Sequence, residues 1–178
     1  MPLTVRAATA ADIPAIADAF ADGKQALAQM NVPQWQGDYP NAQDAQDDIE
    51  QGISYVAQNA KGEVLGVLAY TLDGEPTYDA IDGAWLTEST SSHATYATIH
   101  RCAVMASAAR QGVMNTLLAH AEKLAKDAGA LSVRIDTHRN NVRMHGLALK
   151  RGYTLCGTIA LPYPDEIDPK RNAYEKVL

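Results

Sequence analysis

Apolar residues recur along this chain at two spacings, and their order predicts alternating strands and helices. Helical spacing after Thr9 and Asp12 predicts a first helix with Thr9 as its cap and a buried stripe formed by Ile13, Ile16, Ala17 and Phe20. A loop is predicted at Asn31–Pro40, because two prolines and a glycine fall within this stretch. Gln43–Gln51 then predicts a short second helix that Gly52 ends.

Runs of apolar and β-branched residues predict the strands. They are expected at Leu3–Ala7, Ile53–Gln58, Val64–Leu72, Thr95–Val104, Leu131–Asp136, Tyr153–Ala160 and Ala173–Val177. The Asn59–Glu63 turn joins the second strand to the third as a hairpin. With helices at Val113–Ala128 and after Asn141, this order predicts a mixed sheet covered by helices on both faces. The charged stretch Arg171–Lys176 is expected at an edge of that sheet or in an oligomer contact.

The stretch from Ile99 to Tyr153 carries the strongest chemical signal. A strand feeds into a helix through a turn that holds Gly112. Backbone N–H groups at such a helix start, with the positive end of the helix dipole, bind anions such as a pyrophosphate. A plain connection that binds nothing has the same pattern. The turn holds one glycine and no Gly-Lys-Ser/Thr, which argues against nucleotide hydrolysis and against a dinucleotide site.

These residues resemble the cofactor motif of the GCN5-related N-acetyltransferases, the GNAT superfamily, and the resemblance covers most of the chain. The matching segments are Ile99–Val104, Ala109–Met114, Arg134–His138, Asn141, Met144 and Arg151–Tyr153. The resemblance implies an α/β fold with a mixed, mostly antiparallel sheet of six to seven strands and about four flanking helices. Two strands of that sheet are expected to splay apart for the cofactor. Residues 1–178 are then expected to form a single domain.

The resemblance implies acetyl-CoA as the cosubstrate, with its pyrophosphate held mainly by backbone N–H groups of the turn. The residues implied in cofactor binding are Val104, Arg110, Gln111, Gly112, Val113, Met114, Asn115 and Asn141. Arg110 is placed to add a charge-assisted contact. Asn141 is interpreted as the N-cap of the last helix and also as a contact to the cofactor arm.

Three positions depart from the family pattern. Ala109 stands where the family loop usually has Gln or Arg, and Met114 stands where it has Gly or Ala. Ala148 aligns with a tyrosine that frequently protonates the departing thiolate in the family. A second hypothesis therefore stays open, in which the chain is a degenerate coenzyme A-binding or non-catalytic regulatory and interaction module.

The implied reaction is direct attack of a primary amine on the thioester, the amine belonging to a small molecule, a peptide amino terminus or a lysine. An alkyl amine has a pKa near about 10.4, so a base must take its proton at neutral pH. His100 is the candidate base, and the alternative is a hydrogen-bonded strand histidine without a catalytic part. The backbone N–H of Val104 is implied as the oxyanion donor, a contact worth about 3 kcal/mol.

Four further residues are candidates for binding the acceptor. Arg101 and His138 lie near the ends of two strands that the resemblance brings to the cofactor. Trp35 and Tyr39 lie in the first long loop, where an aromatic ring either lines an acceptor pocket or covers an edge of the core.

Composition adds limits on the kind of partner. With 178 residues and a net charge of −6, the chain is expected to form one core and not to bind nucleic acid. The absence of a signal peptide and of a long apolar segment indicates a cytoplasmic protein without a membrane partner. A homodimer is expected only from the resemblance.

Two further expectations concern single residue types. Cys102 and Cys156 are expected as buried thiols, and their spacing suggests no metal site. The acidic run Asn41–Glu50 is expected to form a solvated helix face.

Overall fold

The computed structural model describes residues 2–162 and 167–178, and within them the chain forms four α-helices and eight β-strands. The helices are α1 (Ile13–Gln29), α2 (Ala42–Glu50), α3 (Val113–Asp127) and α4 (Val142–Lys150). The strands are β1 (Thr4–Ala7), β2 (Ser54–Gln58), β3 (Val64–Thr71), β4 (Asp82–Gly83), β5 (Tyr96–Val104), β6 (Ser132–His138), β7 (Thr154–Ala160) and β8 (Lys170–Val177).

The strands belong to one mixed sheet in the order β1-β2-β3-β5-β6-β8-β7-β4. The pairs β1–β2, β2–β3, β6–β8, β7–β8 and β4–β7 are antiparallel, whereas β5 and β6 run parallel. The mixed, mostly antiparallel sheet with about four helices is therefore confirmed. The two-residue strand β4 adds an eighth member to the seven strands expected from the sequence.

The chain divides into two compact units. The first contains Met1–Gln29, Trp35–Tyr70 and His100–Ala121, and the second contains Met30–Gln34, Thr71–Ile99 and Glu122–Leu178. The expectation of a single domain over residues 1–178 stays a prediction.

The core of the first unit lies between its helices and strands. Its buried residues are Ile16, Ala19, Phe20, Ala45, Val56, Val67 and Ala103. Ile16 and Phe20 belong to the predicted stripe of α1, while Ala17 of that stripe is only half-buried. Helical spacing of apolar residues thus predicted which side of α1 is buried, with Ala17 at the margin of that side.

Asp12 ties the start of α1 to the first strand. Its carboxylate accepts hydrogen bonds from the Thr9 backbone N–H (2.8 Å) and hydroxyl (3.0 Å). It also accepts two from the guanidinium of Arg6, at 2.7 and 2.8 Å. The hydrogen bonds from Arg6, with those from Thr9, lower the pKa of Asp12 to about 2, although burial acts in the opposite direction.

The second unit contains a buried ion pair on its central strands. Glu175 of β8 and Arg134 of β6 are both fully buried and join at 3.0 Å. The Arg134 guanidinium also stacks on the rings of Trp85 (4.3 Å) and Tyr96 (4.0 Å). Through these contacts the ion pair holds the connection between β3 and β5 against the sheet.

The expectation that Arg171–Lys176 forms an edge strand is wrong. β8 pairs with β6 on one side and with β7 on the other, so its backbone is hydrogen-bonded along both sides. Charge in a strand predicts an edge only when the charges have no buried partner. Glu175 has such a partner in Arg134, which lies 41 positions earlier in the chain.

Two smaller expectations also need correction. Cys102 and Cys156 are half-buried rather than buried. In the acidic run, Asp48 is only 5% exposed, because it faces inward from α2 beside Ala45. The run therefore is not a uniformly solvated face.

Gly66 offers a test of the packing of β3. A Cβ atom there would lie 2.7 Å from Val113 Cγ1 and 2.9 Å from the Ala103 carbonyl oxygen. We expect Gly66→Ala to lower the free energy of unfolding by about 2 kcal/mol, because a backbone oxygen moves aside less easily than the end of a flexible side chain. Urea unfolding measures this change.

Gly146 in α4 provides the matched control. A Cβ atom at Gly146 would meet nothing within 4 Å. Gly146→Ala should therefore raise stability by up to about 1 kcal/mol, as expected from helix propensity alone. Equal effects at the two glycines would contradict the close approach at Gly66.

Asp12 makes a pH-dependent contribution. Because its pKa is lowered in the folded protein, its stabilisation is present above about pH 4 and is lost as the pH falls toward about 2. Asp12→Asn should cost about 1–2 kcal/mol at pH 7, the partly exposed Arg6 limiting the value. Urea unfolding of both proteins at a series of pH values should show the difference narrowing on acidification.

Asp127 serves as the control for this pH series. It forms an exposed ion pair with Lys123 within α3, so Asp127→Asn should change stability by less than about 0.5 kcal/mol. If the loss of unfolding free energy in Asp12→Asn did not vary with pH, the stabilisation by the Asp12 charge would be contradicted.

Candidate functional site

The turn between β5 and α3 is built from exposed backbone. A single 3-10 turn covers Ala106–Ala108, and Ala109, Arg110, Gln111 and Gly112 follow as exposed residues. Arg110 and Gly112 have positive φ values of 63° and 81°. Two left-handed residues so close together bend the chain sharply into α3, and such concave turns collect N–H groups.

The start of α3 leaves backbone donors outside the helical hydrogen-bond pattern. Thr116 N–H donates to the Gly112 carbonyl at 3.0 Å. The N–H groups of Val113 and Met114 precede this bond and lie at the positive end of a 15-residue helix. A Cβ atom at Gly112 would meet nothing within 4 Å, so the turn is open at this point. A pyrophosphate fits such a turn in charge and in access.

Side chains of the turn contribute unequally. Val113 is buried (2% exposed) and packs beside Gly66, so only its backbone can reach a ligand. Met114 is half-buried, while Arg110 and Asn115 are exposed. Gln111 donates its amide to the Ser107 carbonyl at 3.0 Å, which stiffens the turn.

The start of the turn is fixed by an acidic residue of α1. The Asp22 carboxylate accepts a hydrogen bond from the backbone N–H of Ala106 at 2.7 Å. Sequence reasoning missed Asp22, because the contact joins residues 84 positions apart. It orients the segment that leads from Val104, the last residue of β5, into the turn.

Arg101 of β5 is held by a two-pronged ion pair with Asp48 of α2. Arg101 Nε lies 2.6 Å from Asp48 Oδ2, and Nη2 lies 2.5 Å from Oδ1. Nη1 of the same guanidinium donates to the Tyr39 hydroxyl at 3.1 Å. Arg101 has a positive φ of 49°, a backbone conformation that costs a non-glycine residue energy. The predicted candidates Arg101 and Tyr39 are thus brought together.

Burial and charge pairing act in opposite directions on the pKa values of Asp48 and Arg101. Burial raises the pKa of the Asp48 carboxyl, and Arg101 and His100 offset this only in part. Burial alone would lower the pKa of Arg101, but its hydrogen bonds to Asp48 and Tyr39 raise it. His100, half-buried on β5, therefore lies in the field of an ion pair. Its role as a base stays a prediction.

Trp35 and Tyr39 differ in their surroundings. The Trp35 ring is half-buried, packs edge-on against Phe20 at 6.2 Å and lies against the core of the first unit. Tyr39 is 47% exposed. Lys24 pins the backbone between them by donating to the carbonyls of Gly37 (2.9 Å) and Asp38 (2.7 Å). Covering the core is therefore the observed contact of Trp35, and the acceptor role of both rings stays a prediction.

His138, at the end of β6, has both ring nitrogens engaged. Nδ1 accepts a hydrogen bond from Asn140 N–H at 3.1 Å, and Nε2 lies 3.1 Å from Asp168 Oδ2. Because Nδ1 is an acceptor, the ring proton lies on Nε2 and is donated to Asp168. The side chain is fully buried. His138 thus fixes the loop before α4, and its predicted contact with the acceptor stays a prediction.

Asn141 is the N-cap of α4, as predicted. Its Oδ1 accepts from Met144 N–H at 3.2 Å, and its Nδ2 donates to Thr137 Oγ1 at 3.0 Å. The cofactor contact of Asn141 stays a prediction. Ala148, seven positions later on α4, is fully buried.

Sequence reasoning also missed a carboxylate on β6. Asp136 Oδ2 accepts a hydrogen bond from the Tyr78 hydroxyl at 2.8 Å. Asp136 is half-buried and Tyr78 is 1% exposed. The Asp-Thr-His run at 136–138 was the available signal, because alternate residues of a strand share one face.

Within residues 2–162 and 167–178, no helix is long and apolar enough to cross a membrane. Within the same residues, no group of three or more His, Cys, Asp or Glu side chains is arranged to hold a metal ion.

Comparisons with known proteins give consistent results. A family model described as "Acetyltransferase (GNAT) family" matches residues 24–153. A GNAT-family acetyltransferase structure from Streptococcus agalactiae is 30% identical, with 99% of this chain and 95% of that chain covered and a TM-score of 0.85. No curated protein matches the chain.

More distant structures share the fold. The PaiA N-acetyltransferase of Thermoplasma acidophilum, solved in complex with coenzyme A, is 17% identical, with both chains covered completely and a TM-score of 0.69. The ribosomal-protein-S18-alanine N-acetyltransferase of Escherichia coli is 14% identical, with 99% of this chain and 94% of that chain covered and a TM-score of 0.65.

Proposed function

Because the chain belongs to the GNAT family of acetyltransferases, we propose that it transfers an acetyl group from acetyl-CoA to a primary amine. The observation that carries this proposal is the open turn Ala109–Gly112 at the start of α3. Its left-handed residues and its helical N–H groups suit a pyrophosphate, even though Ala109 replaces the family's usual polar side chain. The acceptor is a small molecule, a peptide amino terminus or a lysine.

The residues of the turn have distinct proposed roles. The N–H groups of Gly112, Val113 and Met114 bind the diphosphate, and Arg110 adds a charge-assisted contact. Gln111 and Asn115 border the same turn, and Asn141 contacts the cofactor arm by resemblance. Acetyl-CoA supplies the thioester whose acetyl group is transferred.

Two groups on β5 have proposed roles in the reaction. The backbone N–H of Val104 donates to the acetyl carbonyl oxygen as negative charge grows there. The imidazole of His100 takes the proton that the acceptor amine must lose before it attacks. Arg101, Tyr39, Trp35 and His138 have the proposed role of binding the acceptor. Cytoplasmic location and the absence of a nucleic-acid partner remain expectations from the sequence, and a homodimer remains an expectation from the resemblance.

Calorimetric titration with acetyl-CoA, followed by turnover with a panel of alkyl amines and peptides, tests the proposal. Selective binding of acetyl-CoA and acetylation of at least one amine are expected. Folded protein that neither binds nor turns over acetyl-CoA would favour the degenerate interaction module that Ala109, Met114 and Ala148 suggested.

The turn itself is tested by Gly112→Val. A β-branched residue is strained at the φ of 81° and places bulk where the diphosphate is proposed to lie. We expect the Kd for acetyl-CoA to rise about tenfold or more. Ala109→Gly should leave it nearly unchanged, because backbone N–H groups rather than that side chain make the contact.

Gly129→Val is the matched control for strain. Gly129 follows the other end of α3 with a φ of 80° and with equally open surroundings. The Gly129→Val variant should lose a similar amount of stability to Gly112→Val but keep its affinity for acetyl-CoA. Equal losses of affinity at Gly112 and Gly129 would mean that the diphosphate does not bind at the turn.

His100→Ala tests the proposed base. We expect kcat to fall about 100-fold and the rise of the rate with pH near neutrality to disappear, while the Kd for acetyl-CoA changes little. Steady-state kinetics between about pH 6 and 9 measures both effects. An unchanged pH profile would indicate that His100 is a strand histidine near the Asp48 pair, without a catalytic part.

A further inference from the structure

The hydroxyl proton of Tyr39, in the first unit, has no acceptor within the described part of the chain. The hydroxyl oxygen accepts a hydrogen bond from Arg101 Nη1 at 3.1 Å. A guanidinium only donates hydrogen bonds, so the tyrosine proton points away from Arg101. No other atom of residues 2–162 and 167–178 accepts that proton. Because Tyr39 is 47% exposed, its O–H group can donate to a bound molecule.

Arg101 also keeps donors for a ligand. A guanidinium carries five N–H groups, and Arg101 uses three of them, two on Asp48 and one on Tyr39. The remaining two have no partner among the described residues. The Arg101 side chain is 19% exposed. A tyrosine O–H and arginine N–H groups therefore lie side by side, where one oxygen atom with two lone pairs can accept from both.

The backbone of Arg101 indicates that this arrangement is more than a structural link. Arg101 has a positive φ of 49° within β5, which costs a residue with a side chain energy. Its partner Asp48 is buried, and burying an ion pair often stabilises a fold no better than apolar residues of similar volume would. Strained residues that charged partners hold in place cluster at ligand-binding and catalytic sites.

The loop that carries Tyr39 is fixed on both sides of the ring. Lys24 donates to the backbone carbonyls of Gly37 (2.9 Å) and Asp38 (2.7 Å). Asn41 donates its side-chain amide to the Asp38 carboxylate at 2.9 Å and caps α2. Tyr39 lies between these contacts, so its hydroxyl is held in position before a ligand arrives. Donors that are positioned in advance lose less conformational entropy when they bind.

The charges around the two donors favour a neutral oxygen over a carboxylate. Burial raises the pKa of Tyr39, Arg101 opposes this, and the charges of Asp44 and Asp48 raise it further. One positive and two negative charges leave this cluster net negative. A carboxylate ligand would be repelled, whereas the oxygen of an amide accepts two hydrogen bonds without adding charge. The same negative charge favours an ammonium group nearby.

The two donors lie beside the proposed base. His100 directly precedes Arg101 on β5. Burial raises the pKa of the Asp48 carboxyl, and a charge on His100 acts to lower it, so His100 and the Arg101–Asp48 pair belong to one electrostatic environment. An acceptor whose amine faces His100 therefore needs only a short spacer to place an oxygen at Tyr39 and Arg101.

We propose that the Tyr39 hydroxyl and the Arg101 guanidinium together bind the carbonyl oxygen of an acceptor that has an amide beside its amine. This inference rests on the proposed function and adds a substrate class to it, namely α-amino amides, which include small amino amides and peptide amino termini. Both residues are binding residues. Loss of the hydroxyl should therefore reduce discrimination between acceptors with and without the carbonyl group.

The test compares two amines of similar size in the wild type and in Tyr39→Phe. Glycinamide has a carbonyl group beside its amine, and isobutylamine has methyl groups in place of the amide oxygen and nitrogen. We expect the ratio of their kcat/KM values to fall about tenfold in Tyr39→Phe, with isobutylamine and the KM for acetyl-CoA changed less than about twofold. Comparing this ratio between proteins cancels the difference in basicity of the two amines.

Tyr55→Phe is the matched control. Tyr55 is a half-buried tyrosine of the first unit that packs against Tyr70, with ring centroids 6.1 Å apart, and it has no proposed role in the site. Removal of its hydroxyl should leave the ratio at the wild-type value. Thermal unfolding checks that each variant is folded.

The wild type supplies a measurement that needs no variant. Calculated per unprotonated amine, glycinamide should be a better acceptor than isobutylamine by about tenfold, although isobutylamine is the stronger base. Glycine, which has a carboxylate in place of the amide, should be a poorer acceptor than glycinamide. Glycylglycinamide identifies the source of the carbonyl: a further gain indicates a peptide amino terminus, equal rates indicate a small amino amide, and both results support the carbonyl contact.

The outcomes separate this inference from the proposed function. A wild type that acetylates alkyl amines but has no preference for glycinamide would overturn the inference alone. A folded Tyr39→Phe variant with an unchanged ratio, or a wild type that prefers glycine to glycinamide, would also overturn it alone. Folded wild-type protein that acetylates no amine would overturn the proposed function and this inference together.

Discussion

The fully buried carboxylate of Glu175 is the constraint on which much of the second unit depends. A charge without water needs several strong donors, and Glu175 receives them from Ser132, Thr87, Leu86 and Arg134. These donors come from β6 and from the connection before β5. Satisfying one carboxylate therefore fixes the connection over the sheet, and the rings of Trp85 and Tyr96 close around Arg134. Tyr78 packs on the same rings and so reaches Asp136 in one orientation.

The first unit applies the same principle at its candidate site. Arg101 adopts a left-handed backbone conformation, and the two-pronged pair with Asp48 compensates for it. The pair links β5 to α2, and the Tyr39 hydroxyl completes it. The Asp22 carboxylate fixes Ala106 at the start of the turn in a similar way. The Asp22 carboxylate thus fixes the chain just before the turn and does not contact the N–H groups of Val113 and Met114, which are the ones proposed to bind the diphosphate.

The chemistry proposed for this GNAT-family chain divides between backbone and side chains. Diphosphate binding depends on backbone geometry, so it tolerates Ala109 and Met114 in place of the family's usual residues. Proton transfer depends on a side chain, and His100 has that proposed task.

The sequence by itself determined the elements whose signals are local. Apolar spacing placed α1 and α3, β-branched runs placed the long strands, Gly112 marked the turn, and Asn141 marked the start of α4. Only the tertiary structure decided which charges are buried together. Asp48 and Arg101 lie 53 positions apart, Tyr78 and Asp136 lie 58 apart, and Thr87 and Glu175 lie 88 apart. Long separation in the chain also explains why a charged strand that was expected at an edge lies inside the sheet. Its charge is neutralised by a distant residue, which the local sequence pattern does not identify. Periodicity records which residues face the core, but it carries no information on which distant partner neutralises a charge, because that pairing arises only when separate elements pack.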